Sequence, residues 1–227
     1  MHELDVPSPI DLCDPVDALE WERAAQSRPG RAEMFQSFAA QLQSMGRSDL
    51  QVLELGSGPA FLAEYLLSAL PELRLSLLDF SQPMDDLARI RLAERASGVR
   101  FLHRSFEDQD WTRGLGKFDA VITNQAVHEL RHKRYAQVLH SQVAEVLAPG
   151  GSYLVCDHYF GEGGMGNDQL YMSSAPVPWL CIVAPNNHMQ RAVCHKMLGR
   201  GRGAAESFQV ICASMLKRER PATDVSR

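Results

Sequence analysis

This sequence lacks several features of membrane proteins, of secreted proteins and of proteins that a metal ion or disulfides stabilise. No apolar run approaches the roughly 18–20 residues that a membrane helix needs. The start, Met1–Asp5, is acidic and polar, whereas a signal peptide is basic and then apolar. The five cysteines are scattered and never spaced as CxxC, which argues against a zinc site or a disulfide framework. We therefore expect a cytoplasmic protein with reduced thiols and no membrane association.

A surplus of positive charge is also missing. The formal net charge is −5, from 23 Lys and Arg against 28 Asp and Glu. Residues 1–190 hold 15 basic and 25 acidic residues, whereas residues 191–227 hold 8 and 3, so the body of the chain is acidic. An acidic body repels the phosphate backbone of nucleic acids. We therefore expect no nucleic-acid partner.

The 227 residues are enough for one α/β domain with a substantial hydrophobic core. Strand-like and helical stretches alternate five times between residues 50 and 156. The strand-like runs are short and apolar throughout, as expected when helices cover both faces of a parallel sheet. The sequence therefore predicts a doubly wound, mainly parallel sheet whose ligand crevice lies at the carboxyl ends of the strands.

The pattern divides the chain into an N-terminal extension at 1–30, a core at 31–160, and a divergent C-terminal region at 161–227 with a partly disordered tail. Helical spacing predicts helices at 18–26, 33–45, 59–70, 83–96 and 133–147. Apolar runs predict strands at 50–55, 73–78, 99–103, 119–123 and 152–156. Beyond the core we expect a glycine-rich turn at 161–166, strands at 179–183 and 208–213, a helix at 188–198 and a linker at 199–203.

The strongest local signal is a glycine turn directly after the first strand, Glu54-Leu55-Gly56-Ser57-Gly58-Pro59-Ala60. Gly56 and Gly58 allow a tight turn and let a ligand approach bare backbone, while the next helix points its N–H groups at the ligand. The dinucleotide fingerprint G-x-G-x-x-G requires a third glycine, where this chain has Phe61. A bulky ring at that position argues against a nicotinamide dinucleotide.

The acidic residue of the turn favours a cationic ligand. Glu54 would repel a diphosphate but can bind an amine. S-adenosylmethionine (SAM) carries an ammonium, a sulfonium and a carboxylate, and no phosphate. The chemistry of the turn therefore suits SAM better than NAD.

These residues resemble the first motif of the class I SAM-dependent methyltransferases, an acidic residue followed by x-G-x-G-x-G, with Ala60 in place of the last glycine. The resemblance spans roughly residues 30–160. Residues 118–130 are similar to the fourth motif of the family and residues 147–151 to its fifth. The resemblance implies a glycine loop that wraps the methionine part of SAM through Glu54, Gly56, Ser57 and Gly58.

Asp79 ends the second strand, about 20 residues past the glycine turn, as ribose-binding acids do. Its carboxylate can accept hydrogen bonds from both ribose hydroxyls, and Phe80 and Met84 can offer apolar faces to adenine. The segment is similar to the D-x-S-x-x-M stretch of the same family. The alternative is an aspartate that caps a helix, with Phe80 and Met84 in the core.

Four further residues complete the predicted cofactor site. After the third strand, where the family often has an acidic residue against the adenine amino group, this chain has Ser105 and Phe106, which we expect to hold adenine unless the segment is an ordinary loop. Asn124 and Gln125 lie where the fourth strand meets the crevice. The stretch Asn124–Val127 lacks the prolines and the aromatic residue of an N-P-P-Y motif, which argues against a nucleobase as the methyl acceptor.

His128 is the candidate catalytic residue, because imidazole can accept a proton near neutral pH. Methyl transfer is an in-line displacement on an activated sulfonium, so positioning alone can suffice and His128 can instead be structural. His158 and Tyr159 are weaker candidates. Asp157 and His158 have no cluster of carboxylates around them in sequence, and we expect no metal. Arg31 can reach the SAM carboxylate or a substrate acid, with a surface arginine as the alternative.

The sequence thus predicts a SAM-dependent methyltransferase that acts on an N, O or S nucleophile of a small molecule and leaves S-adenosylhomocysteine (SAH). Three alternatives stay open. The first is a non-catalytic SAM-binding protein whose divergent C-terminal region has disabled the substrate half. The others are a protein methyltransferase and an NAD-dependent oxidoreductase.

Overall fold

Strands from both halves of the chain join in one sheet in the computed structural model, which describes residues 8–131, 133–158, 179–185 and 210–212. The described helices are α1 (Pro15–Gln26), α2 (Arg31–Ser44), α3 (Phe61–Ala69), α4 (Gln82–Leu92) and α5 (Lys133–Val146), with 3₁₀ turns at Ala93–Gly98 and Val127–Leu130. The described strands are β1 (Gln51–Leu55), β2 (Arg74–Asp79), β3 (Arg100–His103), β4 (Phe118–Asn124), β5 (Leu147–His158), β6 (Trp179–Pro185) and β7 (Val210–Cys212).

The strand order is β3-β2-β1-β4-β5-β6-β7. The first five strands are all parallel, β6 pairs antiparallel with β5, and β7 is parallel to β6. The order reverses between β1 and β4, which places a ligand crevice outside the carboxyl ends of these two strands. The predicted doubly wound, mainly parallel sheet is therefore confirmed.

Each face of the sheet is buried under its own helices. Val52 of β1 belongs to the cluster beneath α2, α3 and α4, whereas its neighbour Leu53 belongs to the cluster beneath α5. Both residues are fully buried, and burying a side chain of this size stabilises a fold by roughly 1.5–3 kcal/mol. The alternation along the strand explains why the sequence reads as a continuous apolar run.

Two caps fix where α1 and α4 begin. Asp14 accepts hydrogen bonds from the backbone N–H groups of Val16 and Asp17, at 2.8 and 3.1 Å from its Oδ1. Ser81 Oγ accepts one from the N–H of Met84 at 3.1 Å. Such caps are worth about 1 kcal/mol each. The cap at Asp14 explains why α1 starts earlier than the predicted residue 18.

Other predicted boundaries were also wrong. The helix expected at 83–96 ends at Leu92, because Ala93 has a left-handed φ of +51° and a 3₁₀ turn follows. The helix expected from residue 59 begins at Phe61, because Ala60 has a φ of +61°. β5 begins at Leu147 instead of residue 152, since Leu147 pairs with Phe118 across an irregular register.

Beyond the core, strands occur near both predicted positions, at Trp179–Pro185 and Val210–Cys212. The predicted turn at 161–166, helix at 188–198 and linker at 199–203 lie outside the described residues, as does Tyr159. Within the described part of the chain, no helix has both the length and the apolar character to cross a membrane.

Candidate functional site

The glycine turn is fixed to the neighbouring strand and packed against the loop after β4. The N–H groups of Gly56 and Ser57 both donate to the carbonyl oxygen of Leu78, at 2.8 and 3.2 Å. Gly56 has a φ of +63°, and a Cβ built there would lie 2.3 Å from the Cβ of Ala126 and 3.3 Å from Cε1 of Phe106. Only glycine fits this position, because a side chain would collide with the core of the turn.

Gly58 differs from Gly56 in its surroundings. Its φ is +51°, yet a Cβ built there meets nothing within 4 Å. Gly58 therefore borders open space, where a ligand can approach the backbone. The two glycines of the motif serve different purposes, since Gly56 is required by packing within the protein and Gly58 leaves room beside it.

Asp79 joins the glycine turn to the end of β2. Its Oδ2 accepts a hydrogen bond from the N–H of Gly58 at 2.7 Å, and its Oδ1 accepts one from the N–H of Ser81 at 3.0 Å. Burial raises the pKa of Asp79 to about 6, although these backbone N–H groups act in the opposite direction. The carboxylate is thus ionised at neutral pH, and a carboxylate has four acceptor sites, which leaves capacity for a ribose hydroxyl. Ser81, and not Asp79, caps α4.

Glu54 is a buried acid next to this carboxylate. It is 2% exposed, and its Oε2 has no hydrogen-bond partner among the described residues. Burial, with a smaller effect of Asp79, raises the pKa of Glu54 to about 8. In the absence of a cation the side chain is therefore mostly protonated at neutral pH, and a cationic ligand would stabilise its ionised form.

Other buried polar atoms near the carboxyl ends of β1 and β4 also lack a hydrogen-bond partner among the described residues: Ser57 Oγ, Thr123 Oγ1 and Asn124 Oδ1. Each unsatisfied buried group costs roughly 1–3 kcal/mol. Native proteins contain few such groups, and a ligand that satisfies them is a common explanation. Their concentration at the point where the strand order reverses indicates a binding site for a polar ligand.

The predicted adenine contacts lie in different surroundings. Phe80 is 43% exposed and can stack on a base, whereas Met84 is 1% exposed and lies within the core. Phe106 is buried against the glycine turn. Ser105 Oγ accepts a hydrogen bond from the N–H of Glu107 at 3.1 Å, as in a local turn. The structure thus brings Phe80 to the surface of the crevice region and places Met84 behind it.

Gln125 follows β4 with a left-handed φ of +57°, which is uncommon for a residue other than glycine and often marks a functional site. Its N–H donates to the carbonyl oxygen of Cys156 at 2.7 Å. Its Oε1 accepts a hydrogen bond from Nη1 of Arg28, at 3.0 Å. The amide is therefore oriented with its NH₂ group directed away from Arg28.

His128 lies between two carboxylates. Its Nδ1 is 2.7 Å from Oδ1 of Asp157, and its Nε2 is 3.2 Å from Oε1 of Glu129. Although burial lowers the pKa of His128, Asp157 and Glu129 together raise it to about 10. The imidazole is therefore protonated at neutral pH with both nitrogens engaged, and it cannot accept a proton in this arrangement. Its role as a catalytic base stays a prediction that this geometry does not favour.

The N-terminal extension crosses the strand ends, and the sequence did not predict this. Ser8 Oγ donates to Glu129 Oε2 at 3.2 Å, and Ser81 Oγ donates to the carbonyl oxygen of Leu12 at 2.5 Å. Arg28 reaches Gln125, which is 97 positions away in the sequence. No local pattern signals such contacts, because they depend on how α1 packs against the finished sheet.

Comparison with known proteins agrees with the fold and the glycine turn. Residues 52–151 match the methyltransferase domain family. The chain is similar to the SAM-bound structure of an amino pentose methyltransferase of calicheamicin biosynthesis from Micromonospora echinaspora, with 25% identity, coverage of 63% of this chain and 57% of that one, and a TM-score of 0.52. No curated protein matches the chain in sequence.

Two further solved structures show the same similarity. An inferred SAM-dependent methyltransferase from Methanococcus maripaludis is 15% identical, with coverage of 66% of this chain and 67% of that one and a TM-score of 0.53. An O-methyltransferase family protein from Burkholderia thailandensis is 22% identical, with coverage of 62% and 45% and a TM-score of 0.45. The chain thus spans between 45% and 67% of the length of these three proteins.

Residues 52–151 therefore match a methyltransferase domain, and the fold is similar to that of a SAM-bound methyltransferase. The residues present fit this cofactor. Glu54 is a buried acid whose Oε2 has no hydrogen-bond partner among the described residues, and it suits a cationic ligand. The carboxylate of Asp79 suits a ribose, and Gly58 borders open space.

Proposed function

We propose that the chain transfers the methyl group of SAM to an N, O or S nucleophile of a small molecule and releases SAH. The observation that carries the proposal is the hydrogen bond from Gly58 N–H to Asp79 Oδ2, at 2.7 Å, beside the buried acid Glu54, whose Oε2 has no partner among the described residues. This pair joins a glycine turn to a ribose-type carboxylate at the reversal of the strand order. The match of residues 52–151 to the methyltransferase domain supports the same reaction.

Each part of the cofactor has a group that suits it. Glu54 would accept a hydrogen bond from the ammonium group of the methionine part, and its ionised form would be stabilised there. Asp79 would accept the ribose hydroxyls, and the exposed ring of Phe80 would stack on adenine. Asn124 and Gln125 border the fourth strand's end, where Asn124 Oδ1 has no partner among the described residues. The protein's task is to hold these groups in one orientation.

When bound, SAM supplies an activated methyl group: the acceptor's lone pair bonds to the methyl carbon as the C–S bond breaks, and the acceptor loses a proton. The described side chains favour catalysis by positioning, since His128 is already protonated and engaged on both nitrogens. A protonated His128 would hold the 3₁₀ turn at Val127–Leu130 against β5 through Asp157. The acceptor proton would then pass to solvent.

A small molecule is the acceptor that the observations favour. One similar solved structure, at 25% identity, is that of an amino pentose methyltransferase. The acidic body of the chain disfavours nucleic acids, and the segment Asn124–Val127 lacks the residues of a nucleobase-methylating motif. A peptide as the acceptor is the second candidate and would be detected in the same assay.

Binding of SAM and SAH is the first test. We expect calorimetric titration of the native protein to give micromolar dissociation constants, which is about −8 kcal/mol. Asp79→Asn is expected to weaken binding about 10- to 100-fold, because charge-assisted hydrogen bonds contribute about 1.5–3 kcal/mol. Asp86→Asn is the matched control, since Asp86 lies on α4, which follows Asp79, and its side chain makes an exposed contact with Gln82. Native protein that is folded and binds neither compound would contradict the proposal.

Turnover is the second test and separates an enzyme from a binding protein. Native protein is incubated with SAM and a panel of amines, phenols, thiols and peptides, and SAH is quantified. SAH formation with a small molecule that is lost in Asp79→Asn supports the proposal. Tight SAM binding without SAH formation from any acceptor class would favour a non-catalytic SAM-binding protein, and formation with peptides alone would favour a protein methyltransferase.

A further inference from the structure

Arg91 of α4 contacts several separate parts of the chain beside the glycine turn. Its Nε donates a hydrogen bond to the carbonyl oxygen of Pro59 at 2.7 Å. Its Nη1 lies 3.4 Å from Oε2 of Glu64 in α3, and its Nη2 pairs with Oε1 of Glu22 in α1. Its Cζ lies 3.8 Å from the centre of the Phe61 ring. One guanidinium group therefore joins the turn to α1, α3 and α4.

The stretch of backbone that Arg91 contacts has an uncommon conformation. Pro59 lies between Gly58 and Ala60, whose φ values are +51° and +61°. A residue with a Cβ, such as Ala60, is strained in this left-handed region and persists there only when the surrounding structure fixes it. The hydrogen bond from Arg91 reaches the carbonyl oxygen between these two residues. It therefore fixes the turn where its backbone departs from ordinary φ values.

Asp79 and Arg91 fix two consecutive residues of the turn. Gly58 N–H donates to Asp79 Oδ2 at 2.7 Å, and the next residue, Pro59, accepts from Arg91. The turn is thus bound both to the end of β2 and to α4. Gly58 also borders open space, so the two contacts fix the backbone that a ligand can approach. A site that is already ordered loses less entropy on binding, which favours affinity.

This set of contacts requires an arginine. A guanidinium group is planar and presents its N–H donors in fixed directions, whereas a lysine ammonium is a point charge on a flexible stem. Glu22 is 7% exposed, and its Oε1 also accepts a hydrogen bond from Gln26 Nε2 at 2.8 Å. This buried carboxylate and the ring of Phe61 together fix the plane of the guanidinium group, and with it the direction of the Nε–H bond of Arg91.

We propose that Arg91 is a positioning residue of the cofactor site, which holds the backbone of Gly58 and Pro59 in the conformation that binds SAM. The inference rests on the proposed function for the identity of the ligand. Arg91 acts through the carbonyl group of Pro59 and has no assigned contact with the cofactor. Loss of its side chain should therefore loosen the turn and weaken the binding of SAM and SAH in a protein that is still folded.

Amide hydrogen exchange of the ligand-free protein, followed by NMR, tests whether Arg91 holds the turn. Native protein is compared with Arg91→Lys at the amides of Gly58 and Ser81, because both amides donate to Asp79. We expect exchange at Gly58 to be at least tenfold faster in Arg91→Lys, while exchange at Ser81 is unchanged. Equal rates at Gly58 in the two proteins, or an equal acceleration at both amides, would overturn the proposal.

Calorimetric titration with SAH, at a temperature where circular dichroism shows every variant to be folded, tests the effect on the ligand. Arg91→Met is expected to weaken SAH binding at least tenfold. Because this change also leaves Glu22 buried without its cation, the double variant Glu22→Gln/Arg91→Met removes that charge as well. Weak binding that persists in the double variant supports the positioning role. Recovery of the native affinity would show that Arg91 only neutralises Glu22, and would overturn that role.

Arg95→Met is the matched control, because Arg95 contacts Ser68 and Glu64 of α3. Its SAH affinity is expected to equal that of the native protein, and a loss as large as in Arg91→Met would count against the proposal. Folded native protein that does not bind SAH contradicts the proposed function, and exchange at Gly58 then still decides whether Arg91 holds the turn. Native SAH affinity in Arg91→Met overturns the positioning role alone.

Discussion

Asp79 and Gly58 are joined by a hydrogen bond of 2.7 Å from the Gly58 N–H to Asp79 Oδ2, across 21 positions of sequence. The bond makes the glycine turn and the end of β2 a single unit. A carboxylate that already accepts from the turn is oriented before any ligand arrives, which reduces the entropy lost on binding. Substitutions in either partner are therefore expected to affect the other.

The two glycines of the turn should respond differently to alanine. Gly56→Ala adds a Cβ that meets Ala126 at 2.3 Å at a positive φ, and we expect a loss of about 2–4 kcal/mol in the free energy of unfolding. Gly58→Ala meets no atom within 4 Å and should lose only about 1–2 kcal/mol, from the positive φ. Urea denaturation without ligand measures both, and equal losses would show that the contact with Ala126 is unimportant.

The affinity for SAH is a second test of Gly58. Gly58→Ala is expected to weaken SAH binding at least tenfold while the protein stays folded, because its new Cβ enters the open space beside the turn. Unchanged affinity in a folded Gly58→Ala protein would mean that the ligand does not approach this part of the backbone. The titration is done by calorimetry at a temperature where the variant is folded.

The free energy of unfolding of the ligand-free protein should depend on pH through Glu54. Burial raises the pKa of Glu54 from 4.5 to about 8. The stability that the protonated side chain contributes is therefore fully present below pH 4.5 and is lost as the pH rises through 8. In Glu54→Gln the side chain is neutral at every pH, so no buried carboxylate has to ionise. We expect it to match the native protein near pH 5 and to exceed it by a few kcal/mol at pH 8.

Chemical denaturation of native protein and Glu54→Gln at pH 5, 6, 7 and 8 measures this difference. Glu72→Gln is a suitable control, because Glu72 is an exposed acid. A difference between native and Glu54→Gln that stays constant across this range would contradict the raised pKa. In the same variant SAM binding should weaken, since the amide cannot pair with the ammonium group.

His128 should contribute to stability more than to proton transfer. Burial lowers its pKa, but Asp157 and Glu129 raise it from 6.5 to about 10. The stabilisation from the charged ring is therefore full below pH 6.5 and is lost as the pH rises through 10. We expect His128→Gln to cost about 1–3 kcal/mol at pH 6.5, and less at pH 10, by urea denaturation.

Kinetics give the second readout for His128. Once an acceptor is found, kcat of the native enzyme should show no ionisation of His128 near the ordinary pKa of histidine, because the ring stays protonated there. A rise in kcat with a midpoint near pH 6.5 that is abolished in His128→Gln would instead identify His128 as a general base. Both measurements use protein whose fold has been checked by circular dichroism.

Phe80 and Met84 offer a contrast between binding and stability. Phe80 is exposed, so Phe80→Ala should change the free energy of unfolding by less than about 0.5 kcal/mol. It should weaken SAH binding by about 1–3 kcal/mol through lost stacking. Met84 is buried, and Met84→Ala should cost about 2–5 kcal/mol of stability. Undiminished SAH affinity in Phe80→Ala would remove Phe80 from the adenine site.

The sequence predicted the fold because its strongest patterns are local. The five parallel strands and the glycine turn between Leu55 and Phe61 follow from short apolar runs and from residue types that allow positive φ. The early end of α4 could not be predicted, since alanine is a strong helix former and yet Ala93, an exposed residue, has a φ of +51°.

The site was predicted in part for the same reason. Asp79 and Glu54 are identified by their distance from the glycine turn and by the chemistry of a carboxylate. The contacts of Arg28 with Gln125 and of His128 with Asp157 join residues 97 and 29 positions apart. Such contacts arise from the docking of α1 and from the pairing of β4 with β5, which leave no mark on any short stretch of sequence.

Phe61 has a consequence for any attempt to change the ligand preference of this fold. Its ring lies between two guanidinium groups, with the Cζ atoms of Arg31 and Arg91 at 4.1 and 3.8 Å from the ring centre. Restoring the third glycine of a dinucleotide motif at this position would remove the surface on which α2, α3 and α4 meet. Converting the crevice into a diphosphate site would therefore also require a new contact between the three helices, and not a single substitution.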